Sequence, residues 1–591
     1  MRIIFDVETN GLLESLNKIH CIEIKDIDNG TELSFTPENV EVALPILENA
    51  EELIGHNVLK FDIPAIQKMY PGFKPKGKIF DTLICSRLIW TDIKDRDFRG
   101  INTFGFPMRL VGRHSLEAWG YRLKIYKGDF HKETDWQNWS EEMQKYCKQD
   151  VKITFDLYNK IHSKDYSTTA IELEHKFAKY IWLQEQHGFS FNVDAGQKLY
   201  SQLAARRQEI YEELQKVFPP WQKDLGTWTP KRNNKTKGYI AGIAINKYQE
   251  ITFNPASRDH IADRLIKLKG WAPKEFTNEG KPKVDESVLN KLTYPETKLL
   301  SEYLMINKRI GQLAEGNNAW LKLEKEGKIY GSVNTNGTIT GRCTHQNPNV
   351  SQVPAVNLPY GLECRSLFIA DNGCKLVGVD VSGLELRVLS HYLFPYDDGE
   401  YIKQILQGDI HKYNQEAAGL DSRDTAKTYI YATLYGAGLN RLSEITGKSL
   451  AETKRINQQF LKNIPALKRL KEDVIKTYRT KNYLKGLDGR KLSIRSEHSA
   501  LNTLIQSAGA LIVKQATINL HEQLLKKLTY GKDFAQAAHI HDEFQLQVRK
   551  GLEDYVGKEA VKAIEDTQKN FNFRCELTGE YKIGRTWADT H

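Results

Sequence analysis

Hydrophobic positions along this chain change period several times, and each change marks a different kind of element. The opening run Arg2-Ile-Ile-Phe5-Asp6-Val7-Glu8 is β-branched and aromatic and reads as a strand. Asp6 and Glu8, two residues apart, project from the same side of it. Two carboxylates there are costly in a core strand without a compensating cation, whereas an edge strand in water would carry them freely. His114 to Gly120 starts a packed helix with Trp119 in the core. Ile171, Leu173, Phe177, Ile181 and Leu183, followed by Leu199, Leu203 and Ile210, predict long helices over 165–218, broken at Gly188–Asp194 and ended by Pro219-Pro220. Residues 91–112 are turn-rich and charged and read as a surface excursion, and 221–250 as a loop or small ribbon standing off the body. Ser257 is placed to cap a helix over Ile261–Leu268, and a further helix is predicted over Ser301–Leu323, with Lys308 and Arg309 available to a phosphate backbone.

In the second half, Lys375-Leu-Val-Gly-Val379-Asp380 reads as a buried strand ending in an acid, with a turn into a helix after Val381. Ala538–Val548 alternates on both sides of His541-Asp542-Glu543, which suggests a β-hairpin with the triplet near its turn. Between them in sequence, Arg423-Asp-Thr-Ala-Lys427-Thr-Tyr-Ile-Tyr431-Ala-Thr-Leu-Tyr435-Gly436 has helix formers in its middle and glycine at its end. On a helix, steps of four drift only about 40° each, so Arg423, Lys427 and Tyr431 share one face. That face suits a nucleoside triphosphate, and an ordinary solvated helix shows the same spacing.

Composition narrows the partners. A chain of 591 residues exceeds one hydrophobic core, so several domains are expected. The formal charge of +9 is unevenly spread, with Lys and Arg concentrated in 221–283 and 461–495, as a polyanion partner or a solvated basic face would require. Seven cysteines without CxxC spacing favour a reducing compartment and no structural zinc. No apolar run is long enough for a membrane span, and the acidic start is unlike a signal peptide.

Three short patterns then carry chemistry in the first 150 residues: Asp6-x-Glu8, Asn57-x3-Phe61-Asp62 after His56, and Tyr146-x3-Asp150. Four acids could hold two divalent ions about 3.5–4 Å apart and drive phosphodiester hydrolysis, with Tyr146 orienting the water and His56 given no chemistry. Their order resembles the three motifs of the DnaQ-like 3′–5′ exonucleases, which implies a ribonuclease H-like fold. In the same way Asp380-x-Ser-x-x-Glu385-x-Arg387, the Arg423–Gly436 helix and His541-Asp542-Glu543 resemble motifs A, B and C of family A, the Pol I-like DNA polymerases, most of all the single-subunit replicative enzymes of short-tailed phages. Residue chemistry and spacing alone reach only a metal-dependent phosphoryl-transfer enzyme.

The resemblance implies a multidomain α/β chain: a ribonuclease H-like exonuclease (1–165), a helical connection and thumb (166–330), a first palm segment (331–400), fingers (401–485) and a second palm segment (486–591). It implies catalysis at Asp380, Asp542 and Glu543, with Val381 among the metal-holding positions, and exonuclease catalysis at Asp6, Glu8, Asp62, Tyr146 and Asp150. Two Mg²⁺ ions are expected at each site, with Mn²⁺ able to substitute. His411, Arg423 and Lys427 would grip the triphosphate, Tyr431 would lie against the sugar and admit dideoxynucleotides, Glu385 would exclude ribose, and Tyr435 would stack at the templating position. Arg342, Asn349, Gln352, Arg365, Arg495, His498, Asn502, Gln506 and His541 would contact primer-template DNA, the 495–506 set being spaced like a helix face. Expected partners are DNA, dNTPs, a helicase-primase and a single-stranded DNA-binding protein, for a monomer in the cytoplasm of an infected bacterium. Phage relatives recruit host thioredoxin through a large thumb insert; the stretch between Pro220 and Phe253 is much shorter, which argues against thioredoxin dependence. A repair enzyme with a vestigial exonuclease, an inactive nucleic-acid-binding protein and an RNA polymerase of related fold are the alternatives.

Overall fold

In the computed structural model, which describes residues 1–125 and 135–591, the opening strand Arg2–Thr9 is central, not peripheral. It pairs antiparallel with Ile19–Asp26 and parallel with Glu52–Gly55, and Glu32–Phe35 and Lys78–Asp81 complete a five-stranded sheet. Ile3, Phe5 and Val7 enter the core that also holds Val40, Leu47 and Ile66, while Ile4 enters the core on the opposite face with Trp119, Val151 and Leu157. Asp6 and Glu8 share the parity of Ile4 and therefore emerge toward the helix Glu141–His162. The edge-strand explanation of these acids is excluded.

This sheet belongs to a unit made of Met1–Phe189, Tyr330–Gln352 and Ile369–His591; a second unit comprises Ser190–Ile329 and Val353–Phe368. The first unit also contains an antiparallel four-stranded sheet in the order Phe534–Ile540, Glu543–Arg549, Cys374–Val381, Gly579–Gly584. The helix Ala500–Leu524, buried along most of its length, shares one core with this sheet and with the helices from Leu384 to Lys481. Residues 91–112 depart from the predicted turn-rich excursion: Ile93–Phe104 is a helix ended by Gly105 in the left-handed conformation. Asp92 pairs with Arg96 one turn on, which supports a polar helix, and buried Asp97 pairs with Arg122 of the helix Leu116–Leu123, tying the two helices together.

Buried charges fasten distant segments of this unit together. Glu174, on the helix Thr168–His187, accepts hydrogen bonds from Arg490 Nη2 at 2.7 Å and Lys514 Nζ at 2.6 Å. Asp488 accepts from the same guanidinium, Lys514 Nζ donates to the Thr335 carbonyl at 2.8 Å, and Arg490 Nη1 reaches Asn336 Oδ1 at 3.3 Å. All four ionic side chains are at most 3% exposed. Removing one partner from a buried ionic cluster strands the others. Lys514→Met is accordingly expected to lower stability by about 3–5 kcal/mol in urea unfolding; a change under about 1 kcal/mol, the scale of an exposed pair, would show that the cluster is not a structural fastening.

In the second unit, Val193–Val217 packs along Glu296–Ile310, with Arg206 pairing Glu302 and Arg207 pairing Glu315. The predicted Ser301–Leu323 helix is interrupted: after Ile310 the backbone makes a π-helical turn over Gly311–Glu315, and a separate short helix covers Trp320–Leu323. The two flanking glycines, Gly311 and Gly316, weaken helix propagation there. Trp221–Trp228 and Ile245–Ile251 form the expected ribbon, and Ser257 accepts from the His260 amide to cap Arg258–Lys269. All seven cysteines are free, and among the described residues no helix is long and apolar enough to cross a membrane.

Candidate active sites

Strand parity, one helix and one turn assemble the N-terminal site. Asp6, Glu8, Asp62, Tyr146 and Asp150 line a single cavity of about 840 Å³, with His56 and Asn57 on its wall. Asp62 begins the helix Asp62–Met69, and its Oδ1 accepts from the Val7 amide at 3.2 Å, which fixes it against the strand between Asp6 and Glu8. Burial pushes the Asp62 carboxyl up to about 7, reinforced by the charges of Asp81 and Asp150. Such repulsion among desolvated carboxylates is what a bound cation relieves.

Two residues missed in the sequence support this cavity. Asp81 accepts from the Asn57 and Leu59 amides at 2.9 and 3.2 Å, holding the turn in which Asn57 takes a left-handed φ of 68°; its signal was an acid directly before a helix, the N-cap pattern. Cys147, beside Tyr146, contacts both the carbonyl and the Oδ2 of Asp6 at 3.4 Å. The adjoining cleft of about 1210 Å³ shares Arg87, Gly112, His114 and Asn334 with the cavity and is basic, with Lys94, Lys164, Lys481, Lys491 and Arg495 on its walls.

The second site depends on strand register. Cys374–Val381 pairs with Glu543–Arg549 so that Asp380 lies opposite Glu543, and the Val381 amide donates to the Asp542 carbonyl at 3.2 Å. The hairpin turn at His541 has a left-handed φ of 55°, and Asp542 follows it into the same end of the sheet. Desolvation pushes Asp380 up to about 7, with Asp542 and Glu543 adding to the shift; burial and Glu385 raise Asp542 in the same direction. Oxygen donors in mutual repulsion suit a hard divalent cation.

Glu543 is turned differently. Its Oε1 accepts from Trp587 Nε1 and Gln545 Nε2, each at 2.6 Å, and its Oε2 lies 3.2 Å from His591 Nδ1. Gly378 allows this packing, since a Cβ there would lie 2.5 Å from Gln545 Nε2 and 2.7 Å from the Thr590 carbonyl. Nothing in the spacing of Trp587 and His591 signalled that they meet this carboxylate.

The Arg423–Leu434 helix is capped by Ser422 and displays Arg423 and Lys427 to solvent, with Tyr431 half-buried. Arg423 holds Asp409 through Nε at 2.8 Å and Nη2 at 3.2 Å. The His411 ring lies 6.2 Å from that of Tyr431, and burial together with Arg423 and Lys427 lowers its pKa. Tyr435, just past the helix, donates to Glu385 at 2.5 Å, and the Arg342 charge acts on Tyr435, His541 and Asp542.

The remaining DNA-contact candidates divide. Asn502 and Gln506 do share a helix face, joined by a 2.8 Å hydrogen bond. Arg495 and His498 precede that helix, His498 within the 3₁₀ turn Glu497–Ser499, so the single-face spacing predicted for all four does not hold. Asn349 accepts from Ser351 Oγ at 2.6 Å beside the turn containing Gln352. Arg365, in the second unit, is 6% exposed and donates to the Pro354 carbonyl at 3.0 Å, a backbone-holding position in place of an open phosphate contact.

Comparison with known proteins agrees with this arrangement. The profile of DNA polymerase family A matches residues 231–589. The DNA-directed DNA polymerases of Escherichia phage T7 and Enterobacteria phage T3 are each 37% identical over alignments of 704 positions that span all of both chains. A solved structure of the Pol1 polymerase domain of M. smegmatis, in complex with DNA primer-template and dNTP, superposes with a TM-score of 0.74 over 99% of this chain and 96% of its own, at 16% identity, a likeness of fold. Two carboxylate sites on two sheets, a cationic helix beside the second and relatives matched from end to end place the chain in DNA polymerase family A, as a DNA-directed DNA polymerase with 3′–5′ exonuclease activity.

Proposed function

We propose that this chain adds dNTPs to a primer 3′ end by two-metal nucleotidyl transfer at Asp380 and Asp542, and removes mispaired ends at the cavity of Asp6, Glu8, Asp62 and Asp150. The observation that carries the reading is the strand register that brings Asp380 and Asp542 to one end of a sheet as mutually repelling carboxylates. Mg²⁺, with Mn²⁺ as a substitute, fits both oxygen-donor sets, with Val381 beside Asp380; when bound it supplies an acidified 3′-hydroxyl and charge neutralisation at one site and an activated water at the other.

The side chains then divide the work. Arg423 exchanges Asp409 for triphosphate oxygens, and Lys427 and His411 add charge-assisted contacts. Tyr431 lies against the sugar. Glu385 fills the space a 2′-hydroxyl would need, and Tyr435, which it holds, stands at the templating position. At the other site Tyr146 orients the attacking water. Arg342, Asn349, Gln352, Arg495, His498, Asn502, Gln506 and His541 contact primer-template DNA, and the basic cleft beside the exonuclease cavity suits a single strand entering it. The fitting role is genome replication of the phage type, alongside a helicase-primase and a single-stranded DNA-binding protein.

Primer extension on a long single-stranded template tests this reading, comparing dNTPs, rNTPs and dideoxynucleotides with and without thioredoxin. Wild-type enzyme should use dNTPs, accept dideoxynucleotides and give the same product length without thioredoxin. Glu385→Ala should raise rNTP use by about 10–200-fold, the range of steric discrimination in a pocket. Unchanged rNTP use would remove Glu385 from sugar selection, and a thioredoxin-dependent gain in length would overturn the inference drawn from the short ribbon.

A further inference from the structure

Four residues line both the basic cleft and the exonuclease cavity: Arg87, Gly112, His114 and Asn334. They form the wall where the two spaces meet. Gly112 brings no side chain to it, and Asn334 no charge. His114 is held neutral, since burial beside the cations Arg87 and Arg122 pushes its pKa down to about 3. The charge on this wall is therefore that of Arg87, in the last turn of the helix Thr82–Ile89. Its guanidinium is half-buried, and among the described residues it has neither an ion pair nor a hydrogen bond. Burial lowers its pKa by more than the charges of Asp81 and Glu185 raise it. Both acids are engaged elsewhere: Asp81 accepts from the Asn57, Leu59 and Leu83 amides, and Glu185 from Lys60 Nζ at 2.7 Å and the Val333 amide at 2.5 Å. A cation taken part-way out of water without a counter-ion carries a desolvation penalty that a bound anion would offset.

We propose that Arg87 is a substrate-binding residue of the exonuclease, gripping one backbone phosphate of the single strand where the strand passes from the cleft into the cavity. The inference rests on the exonuclease reading above. A strand whose 3′ end reaches Asp6 and Glu8 carries a phosphate at every nucleotide, so a path from cleft to cavity presents one to this wall. The guanidinium fork matches two phosphate oxygens, and partial burial strengthens the contact by excluding water. Gly112, with a left-handed φ of 74°, keeps its part of the wall free of a side chain. Neutral His114 and Asn334 offer hydrogen-bonding groups there without adding a charge. The phosphate held in this way lies upstream of the scissile bond and is unchanged by the reaction. Arg87 therefore stabilises bound substrate and transition state alike, which sets KM and leaves kcat nearly unaltered.

Degradation of single-stranded DNA by the full chain in Mg²⁺, compared with Arg87→Ala and Arg87→Lys, tests this. Arg87→Ala should raise KM about 10–100-fold, the scale of hydrogen bonds to a charged group, while kcat stays within about twofold. The log–log salt slope of single-strand binding should fall by about 0.7, the share of one phosphate. Arg87→Lys should keep the slope and recover part of the affinity, because it keeps the charge and loses the fork. A neutral methylphosphonate linkage walked upstream from the 3′ end locates the contact. At one position it should weaken binding to wild type about 10–100-fold and leave Arg87→Ala unaffected, a dependence that a merely structural role would not produce. Primer extension at the wild-type rate reports that the variants are folded. A fall in kcat at unchanged KM, an unchanged salt slope, or the lack of any linkage whose penalty disappears in Arg87→Ala would overturn the assignment. Asp6→Ala separates the two levels: degradation that persists in it defeats the exonuclease site itself, whereas its loss there, with KM unchanged in Arg87→Ala, defeats only the role of Arg87.

Discussion

Asp542→Asn is expected to lower primer extension by about 10³-fold or more while degradation of single-stranded DNA continues at the wild-type rate. Asparagine preserves shape and one oxygen but removes the charge that a divalent cation requires. Asp380→Asn should match it, because register and repulsion make the two acids one unit. The pair should also be non-additive, the double variant losing little more than either single one. Full extension by either variant would remove the reaction from this end of the sheet. The sparing of the exonuclease matters equally, since it separates loss of a metal ligand from loss of the fold.

The complementary result is expected from Asp6→Ala combined with Glu8→Ala: degradation of single-stranded DNA should fall by about 10³-fold or more, with extension intact. Both side chains emerge from a central strand onto the face covered by the Tyr146–Asp150 helix, so their removal empties one wall of the cavity without touching the Ile3, Phe5 and Val7 core. Undiminished degradation would mean that the cavity is not the hydrolytic site. Excision of a terminal mismatch should disappear together with degradation.

What could be read from the sequence was whatever is encoded locally. The Arg423 helix, the hairpin around Asp542 and the same-side projection of Asp6 and Glu8 follow from periods of 3.6 and 2 and from end signals, and the structure has each. Contacts set by tertiary packing were not legible. Glu543 stands beside Asp542 in the sequence, but that Trp587, Gln545 and His591 hold its carboxylate is set by tertiary packing, two of the three lying 44 or more positions away. Arg365 read as a phosphate contact because arginine usually is one; its burial against Pro354 depends on how 353–368 packs. The 93–104 helix was not legible because its inward face alternates apolar Ile93 with the charged Asp97, whose partner Arg122 lies on another helix.

The Glu174 cluster bears on how the molecule can be dissected. Arg490 and Lys514 belong to the segment that carries Asp542, but the carboxylate they share lies on the Thr168–His187 helix, upstream of the second unit. A polymerase fragment cut after His187 would inherit two cations in its interior without that counter-ion, and the Thr335 carbonyl and Asn336 side chain they hold would lose their support. The helix therefore goes with the polymerase in any division of the chain, and a cut that frees the exonuclease belongs upstream of it, before Thr168.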